Sequence, residues 1–426
     1  MNLINCIDEI NSERIRNLFA GLYGTQDSVI EKQQQRYIQA VKAFHEHFPN
    51  RAEVKIYSAP GRTEIGGNHT DHQRGMVLAG AVNLDVIAVV AFHDEGVVRV
   101  KSEGYDLSEI NLDDLTSSSN DDGTAALVKG VIAKFSEKKV LVGGFDMYTT
   151  SDVICGGGIS SSAAFETLIG TVVNQKYNNG ECTAFEIAKY GWFAENVYFG
   201  KKCGLLDQTV SSYGGLVSIN FEDEGNPIIE KIDFDFEKFG YTLCITDTKS
   251  SHENLTDDYV AIREEMKQIA KHFGCDVLNT VNETDFYDNI KELRSKYGDR
   301  AVLRSIHFFD ETKRAKEETE SLKRKDINRF LALVNESGDS SWKLLQNNYC
   351  ITTPHNQEIP LAITLTKKVL CGDGAVRVHG GGFAGTVQAF VPIAKVAEYR
   401  ETMEKVFGEG SVYVLRIRPV GGIQII

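Results

Sequence analysis

The sequence predicts an α+β protein built as two domains. Apolar strand-like runs and amphipathic helix-like runs are mixed along the chain. Its 426 residues exceed one typical domain of about 100–200 residues. An acidic segment with Gly and Pro, Glu222–Pro227, marks a boundary near residue 225. The division is then a helical N-terminal extension over 1–50, one domain over 51–225 and a second over 226–426.

Within the extension, Ile30, Tyr37, Ile38, Val41, Phe44 and Phe48 fall near one helical face. Val54–Ser58 alternates like a strand, and the β-branched, apolar run over 76–92 fits one or two buried strands. Between them, residues 59–75 read as a loop rich in Gly, His, Asp and Arg. Helix is expected over 125–136, strand over 143–150 and a long small-residue helix over 161–177. A further helix over 183–199 opens on a capping-box pattern, Thr183 with Glu186 three residues on. Strand follows at 216–221 and 241–246, and charged amphipathic helices at 256–273 and 310–337. The tail alternates helix (361–370), strand, the cluster HGGGFAG, strand (387–391), helix (395–407) and strand (412–416).

Composition narrows the partners. With 60 acidic and 46 basic residues the net charge is −14, which opposes general binding to nucleic acid or anionic membranes. The eight cysteines show no CxxC spacing, so free thiols in a reducing cytoplasm are expected. The first residues lack the basic start and apolar run of a secretory signal. The most apolar stretch, Val77–Phe92, contains Asn83 and Asp85 and falls short of a membrane span of about 20 residues.

Three stretches carry the density of polar residues that chemistry needs. In Gly156-Gly157-Gly158-Ile159-Ser160-Ser161-Ser162-Ala163, glycines precede a helix. Free N–H groups and the positive end of the helix dipole make such a terminus a phosphate site, and the alternative is an ordinary loop. Ser162 adds a hydroxyl, and Glu195 on the next helix a carboxylate, for a magnesium ion. The second stretch, PGRTEIGGNHTDHQRG over 60–75, offers Asn68, His69 and Asp71 as donors and acceptors for a row of sugar hydroxyls; zinc at His69, Asp71 and His72, or a structural loop, are the other readings. In the third, CGLLDQ over 203–208, Asp207 near a helix start reads by itself as a cap.

Together and in this order, with RVHGGGFAGT late in the chain, these motifs resemble the galactokinases of the GHMP kinase superfamily. The resemblance spans about residues 54–418. It implies the two-domain GHMP kinase fold, with an N-terminal domain similar to the second domain of ribosomal protein S5 and a ferredoxin-like C-terminal domain. It implies ATP and Mg²⁺ as co-substrate and cofactor, with phosphorylation of galactose at its anomeric hydroxyl. Galacturonate is the alternative substrate, and a non-catalytic sugar and ATP sensor the alternative class. On this resemblance Asp207 matches the catalytic aspartate and Arg62 the arginine paired with it. Ser162 and Glu195 match the magnesium ligands, and Gly156–Ala163 the phosphate loop. Asn68, His69, Asp71, Gly204 and Tyr259 match sugar contacts. A cytoplasmic monomer with no nucleic-acid or membrane partner is expected.

The chain departs from the family's first motif, PGRVNLIGEHTDYNGG. Thr63-Glu64 stands for Val-Asn, Gly66 for Ile, Asn68 for Glu, His72 for Tyr and Arg74 for Gly or Gln, and Ile154 stands where many relatives have Pro. The family glutamate at position 68 bonds the sugar's 6-hydroxyl. An uncharged Asn68 would not repel a 6-carboxylate, which is why galacturonate stays open.

Overall fold

The chain was analysed as a computed structural model in which residues 1–119, 121–153, 159–250 and 255–426 are described. Three helices come first: α1 (Leu3–Ile10), α2 (Glu13–Tyr23) and α3 (Asp27–His47). Asn2 and Ser12 cap the first two through side-chain bonds to the N–H groups of Asn5 and Ile15. Strands β1 (Lys55–Gly66), β2 (Met76–His93), β3 (Val97–Ser102) and β4 (Leu107–Asn111) follow, then α4 (Gly123–Glu137) and β5 (Gly144–Ser151). Next come α5 (Ser161–Tyr177), α6 (Ala184–Phe193), α7 (Leu206–Tyr213), β6 (Leu216–Asn220), β7 (Ile228–Ile232) and β8 (Tyr241–Asp247). Helices α8 (Thr256–His272), α9 (Glu283–Asp288), α10 (Ile290–Tyr297), α11 (Asp299–Lys323), α12 (Ile327–Ser340) and α13 (Glu358–Leu370) lead to β9 (Ala375–His379) and β10 (Thr386–Pro392). The chain closes with α14 (Val396–Phe407), β11 (Val412–Leu415) and β12 (Ile423–Gln424).

The strands form two sheets. The larger runs β12-β1-β2-β5-β3-β4, with β6 and β7 added beside β2; the smaller is antiparallel in the order β11-β8-β10-β9. The second half of β2, residues 86–92, is apolar without interruption, and the packing explains why. Val86, Ala88 and Val90 face the core shared with α4, α5 and α6. Their neighbours Ile87, Val89 and Ala91 face a second core made with Phe19, Tyr37, Val41 and Phe44 of the N-terminal helices. Successive side chains point to opposite faces, so a stretch covered on both sides is apolar on both, save where a buried polar group such as Asp85 finds its own partners. The N-terminal extension is thus one of the layers over the large sheet.

Several expected boundaries move. The loop expected over 59–75 is half strand: β1 runs on to Gly66, and Pro60 is accommodated where the β1–β2 register shifts between Pro60 and Arg62. The apolar run of 76–92 is one long strand. The helix expected over 183–199 ends at Phe193 and passes into a π turn, Ala194–Tyr198; its capping box forms as read from the sequence. The helix expected over 310–337 is two, α11 and α12. The break has no Gly or Pro; Lys325 takes a left-handed φ of 59° and Asp326 caps α12 by accepting from the Arg329 N–H. Strand β7, beyond residue 225, pairs with β6, and β12 returns to β1, so the large sheet gathers strands from both sides of that point.

Candidate active site

The end of β1, the β1–β2 connection, the N-terminus of α7, α8 and the β9–β10 loop enclose a cavity of about 680 Å³. Arg62, Glu64, Asn68, His69, Asp71, Gly204, Asp207 and Tyr259 line it. Asp207 does not cap α7, whose first turn has no side-chain cap. Its carboxylate is gripped by Arg62 through two parallel bonds, Nε to Oδ1 at 2.6 Å and Nη2 to Oδ2 at 2.7 Å. The Ser160 hydroxyl also donates to Oδ2. Ser160 has a left-handed φ of 56° at the entry to α5, so the free N–H groups of α5 begin beside the Asp207 carboxylate. Gly156, Gly157 and Gly158 lie outside the described residues, as does Ile154. Ile159 is buried, and its carbonyl accepts from the Arg62 N–H at 3.0 Å, tying the phosphate-loop end to the strand that carries the arginine.

On the sugar-loop side, Asp71 packs so closely on Gly204 that a Cβ there would meet Asp71 Oδ2 at 2.6 Å. Burial, and then the neighbouring Glu64, push the Asp71 carboxyl above its ordinary pKa. His69 Nε2 donates to the Gly381 carbonyl at 2.9 Å, and Tyr259 OH donates to that of Gly382 at 2.8 Å. The HGGGFAG loop between β9 and β10 therefore braces the sugar loop and α8. Burial, with His69 and Arg263 nearby, pushes His72 down to about 3, so it is neutral at physiological pH. His69 turns to a carbonyl, and among the described residues no group of three or more His, Cys, Asp or Glu could hold a metal ion, which disfavours zinc at this loop.

Asn68 departs most from expectation. Its side chain is fully buried and already fully bonded. Nδ2 donates to Glu64 Oε1 at 2.9 Å and to the Gly380 carbonyl at 2.8 Å. Oδ1 accepts from Asn347 Nδ2 at 2.9 Å and Ser341 Oγ at 3.3 Å. An amide has two donor hydrogens and two acceptor lone pairs, so nothing is left for a sugar. Asn68, expected as a sugar contact, has its amide engaged by the protein itself.

Ser162 and Glu195 meet, with Ser162 Oγ donating to Glu195 Oε1 at 3.0 Å. Two oxygens on adjacent corners of a Mg²⁺ octahedron lie about 2.9 Å apart, so this pair fits the ion, whose remaining ligands would be phosphate oxygens and water. Lys201 Nζ also sits 3.0 Å from Oε1 on an exposed side chain. Unforeseen in the sequence, Gln208 donates to both Glu195 and Glu166, at 2.8 and 2.9 Å. Burial, then the charge of Glu195, hold Glu166 well above the usual carboxylate range.

Known proteins share these features. The galactose-binding signature of galactokinases matches residues 42–92, and the N-terminal domain of GHMP kinases matches residues 126–215. The galactokinase of Glaesserella parasuis is 30% identical over 367 residues, covering 84% of this chain and 90% of the relative. That of Actinobacillus pleuropneumoniae serotype 3 is 31% identical over 364 residues, covering 85% and 91%. The chain belongs to the galactokinase family. The fold agrees: Lactococcus lactis galactokinase complexed with galactose superposes with a TM-score of 0.76 at 22% identity, covering 90% of this chain and 98% of that one. Methanococcus jannaschii mevalonate kinase gives a TM-score of 0.61 at 17% identity over 86% and 98%. The two-domain GHMP kinase fold expected from the motifs is the one observed.

For this galactokinase-family site the Gly204 contact makes a sharp expectation. Gly204→Ala forces Asp71 aside, and a displacement near 1 Å in a positioned site costs up to about 100-fold in rate. We expect kcat/KM for the sugar to fall by about 10- to 100-fold with ATP affinity unchanged, read from steady-state kinetics and nucleotide titration.

Proposed function

We propose that the protein transfers the γ-phosphate of ATP to the anomeric hydroxyl of galactose, giving galactose 1-phosphate. The observation that carries this reading is the Asp207 carboxylate, held by Arg62 and Ser160 where the sugar loop meets the N-terminus of α5. The triphosphate lies at the start of α5, where backbone N–H groups and the helix dipole meet its charge. The hexose occupies the cavity, with His69, Asp71, Gly204 and Tyr259 around it. Asp207 accepts the proton of the anomeric hydroxyl as that oxygen attacks phosphorus in line with the leaving ADP. Arg62 holds the aspartate in place and stabilises charge on the phosphoryl oxygens.

Ser162 and Glu195 would hold Mg²⁺, which would supply neutralisation of phosphate charge. Glu166 and Gln208 orient Glu195 from behind. No described helix is long and apolar enough to cross a membrane; we take the setting to be the cytoplasm and the working unit a monomer. The test is a panel of hexoses with ATP and Mg²⁺, reading sugar consumption and the position phosphorylated. Galactose 1-phosphate as the main product supports the reading. ATP turnover with another sugar, or none with galactose, overturns it.

A further inference from the structure

Two of the charge changes in the sugar loop, at positions 64 and 68, are in three dimensions one reciprocal exchange. Where the family motif has Asn and then Glu four residues later, this chain has Glu64 and then Asn68, and the two side chains are hydrogen-bonded to each other at 2.9 Å. The acid has been moved, not lost. Glu64 stands two residues beyond Arg62 on β1, in a stretch where the pairing with β2 is unbroken: Arg62 opposite Ala81, Thr63 opposite Gly80, Glu64 opposite Ala79. Alternate strand residues share a face and lie about 6.6 Å apart. Arg62 marks the Asp207 end of the cavity, so Glu64 stands about one hexose ring away from it.

The carboxylate is anchored on one oxygen and open on the other. Oε1 accepts from Asn68 Nδ2 at 2.9 Å and from Nη2 of the fully buried Arg377 at 3.0 Å. Oε2 has no hydrogen-bond partner among the described residues, yet it is not among the atoms sealed from solvent. The side chain keeps 12% exposure and lines the cavity. An ionised carboxylate accepts hydrogen bonds and donates none.

We propose that Glu64 is the specificity-determining acid of this site. Its Oε2 accepts a hydrogen bond from a hydroxyl at the end of the hexose remote from the anomeric carbon, and its charge excludes sugars that carry a carboxylate there. This rests on the sugar 1-kinase reading above. Asn68 and Arg377 act through Glu64 as positioning residues.

The test measures kcat and KM for galactose and galacturonate, with ATP and Mg²⁺, in the full chain and three variants. The unaltered protein should favour galactose by about 100-fold or more in kcat/KM, the scale at which a site built for a hydroxyl rejects a mismatched group. Glu64→Gln should raise KM for galactose by about 10-fold or more, the loss of a charged hydrogen bond, with kcat little changed and the preference over galacturonate narrowed. Asn68→Glu alone crowds two carboxylates and should lose galactose turnover. The reciprocal variant, Glu64→Asn with Asn68→Glu, should recover turnover and preference to within about tenfold of the original, a non-additive result that mere structural damage would not produce.

An unchanged KM and preference in Glu64→Gln overturns the proposal, as does a reciprocal variant no better than Asn68→Glu. A natural preference for galacturonate also overturns it and assigns the remote end to the cations of the cavity rim, Arg74, Arg263 and Lys267. If the unaltered protein phosphorylates neither sugar, it is the 1-kinase reading that fails. If Glu64→Gln does not fold by circular dichroism, the reciprocal variant decides by itself.

Discussion

Asp207→Asn is expected to lower kcat by about 10³- to 10⁴-fold while ATP still binds with an affinity within a factor of about three of the original. The amide keeps the size of the side chain and one acceptor for Arg62, so the site keeps its shape. On the proposed mechanism it loses the ability to take the anomeric proton, and with it goes half of the two-bond grip, in which Nε and Nη2 of Arg62 reach both carboxylate oxygens at 2.6 and 2.7 Å. The Ser160 hydroxyl, which donates to Oδ2, loses a charged acceptor when an amide nitrogen takes that place. The nucleotide does not depend on these bonds; the start of α5 remains. Single-turnover phosphoryl transfer and calorimetric ATP titration measure the two halves. Turnover near the original level would remove Asp207 from the proton path.

Asp85→Ala should destabilise the fold by about 3–5 kcal/mol, the cost of breaking a buried ion pair by deleting one partner, a large part of the 5–15 kcal/mol typical of domains. Asp85 is fully buried on β2. It accepts from Arg36 Nη1 at 2.6 Å, Arg418 Nη1 at 2.9 Å, Tyr23 OH at 2.6 Å and the Ser58 hydroxyl. These partners come from the N-terminal helices, β1 and the C-terminal segment, so one carboxylate binds three parts of the chain. Deleting it strands Arg418, which has no solvent exposure, and leaves the 10% exposed Arg36 to Asp152 at 3.2 Å. Urea unfolding reads the loss, and limited proteolysis should open residues 1–50 first. Asp85→Asn, which keeps an acceptor, should cost less. Burial pushes the Asp85 pKa up, but Arg36 and Arg418 outweigh it and hold it below the ordinary value. Its stabilising share is therefore complete above the usual carboxylate range and is lost as pH falls through the lowered folded value; the Asp85→Ala variant should lack that part of the acid dependence.

Much of the site was legible because its parts are local. The helix over 161–177, the capping box of Thr183 and Glu186, and the set Arg62, Ser162, Glu195 and Asp207 can each be read from a short window, and the structure brings Arg62 to Asp207 and Ser162 to Glu195. What a local window misses has a common cause. Asp207 by itself reads as a cap because the arginine that claims it is 145 positions away. Asn68 reads as a ligand because Gly380, Asn347 and Ser341, which occupy its amide, lie more than 270 positions on. The break at Lys325 is hidden because a left-handed lysine leaves no Gly or Pro in the sequence, although Asp326 followed by the Arg329 N–H is a readable cap. The N-terminal helices could be recognised as amphipathic, but not which surface they cover.

The sequence by itself determined most of the helices and strands, though not all their bounds, which polar residues crowd the loops, and the family to which they belong, because periodicity, caps and motifs act over a few residues of chain. Only the tertiary structure decided how each polar group is used. Asn68, the residue that made the substrate doubtful in the sequence, is occupied by the protein itself, while Glu64, one strand step from Arg62, keeps an oxygen for the cavity. A buried polar group must find its partners wherever the fold brings them, and that satisfaction is set by contacts between distant segments, which no local window of sequence contains.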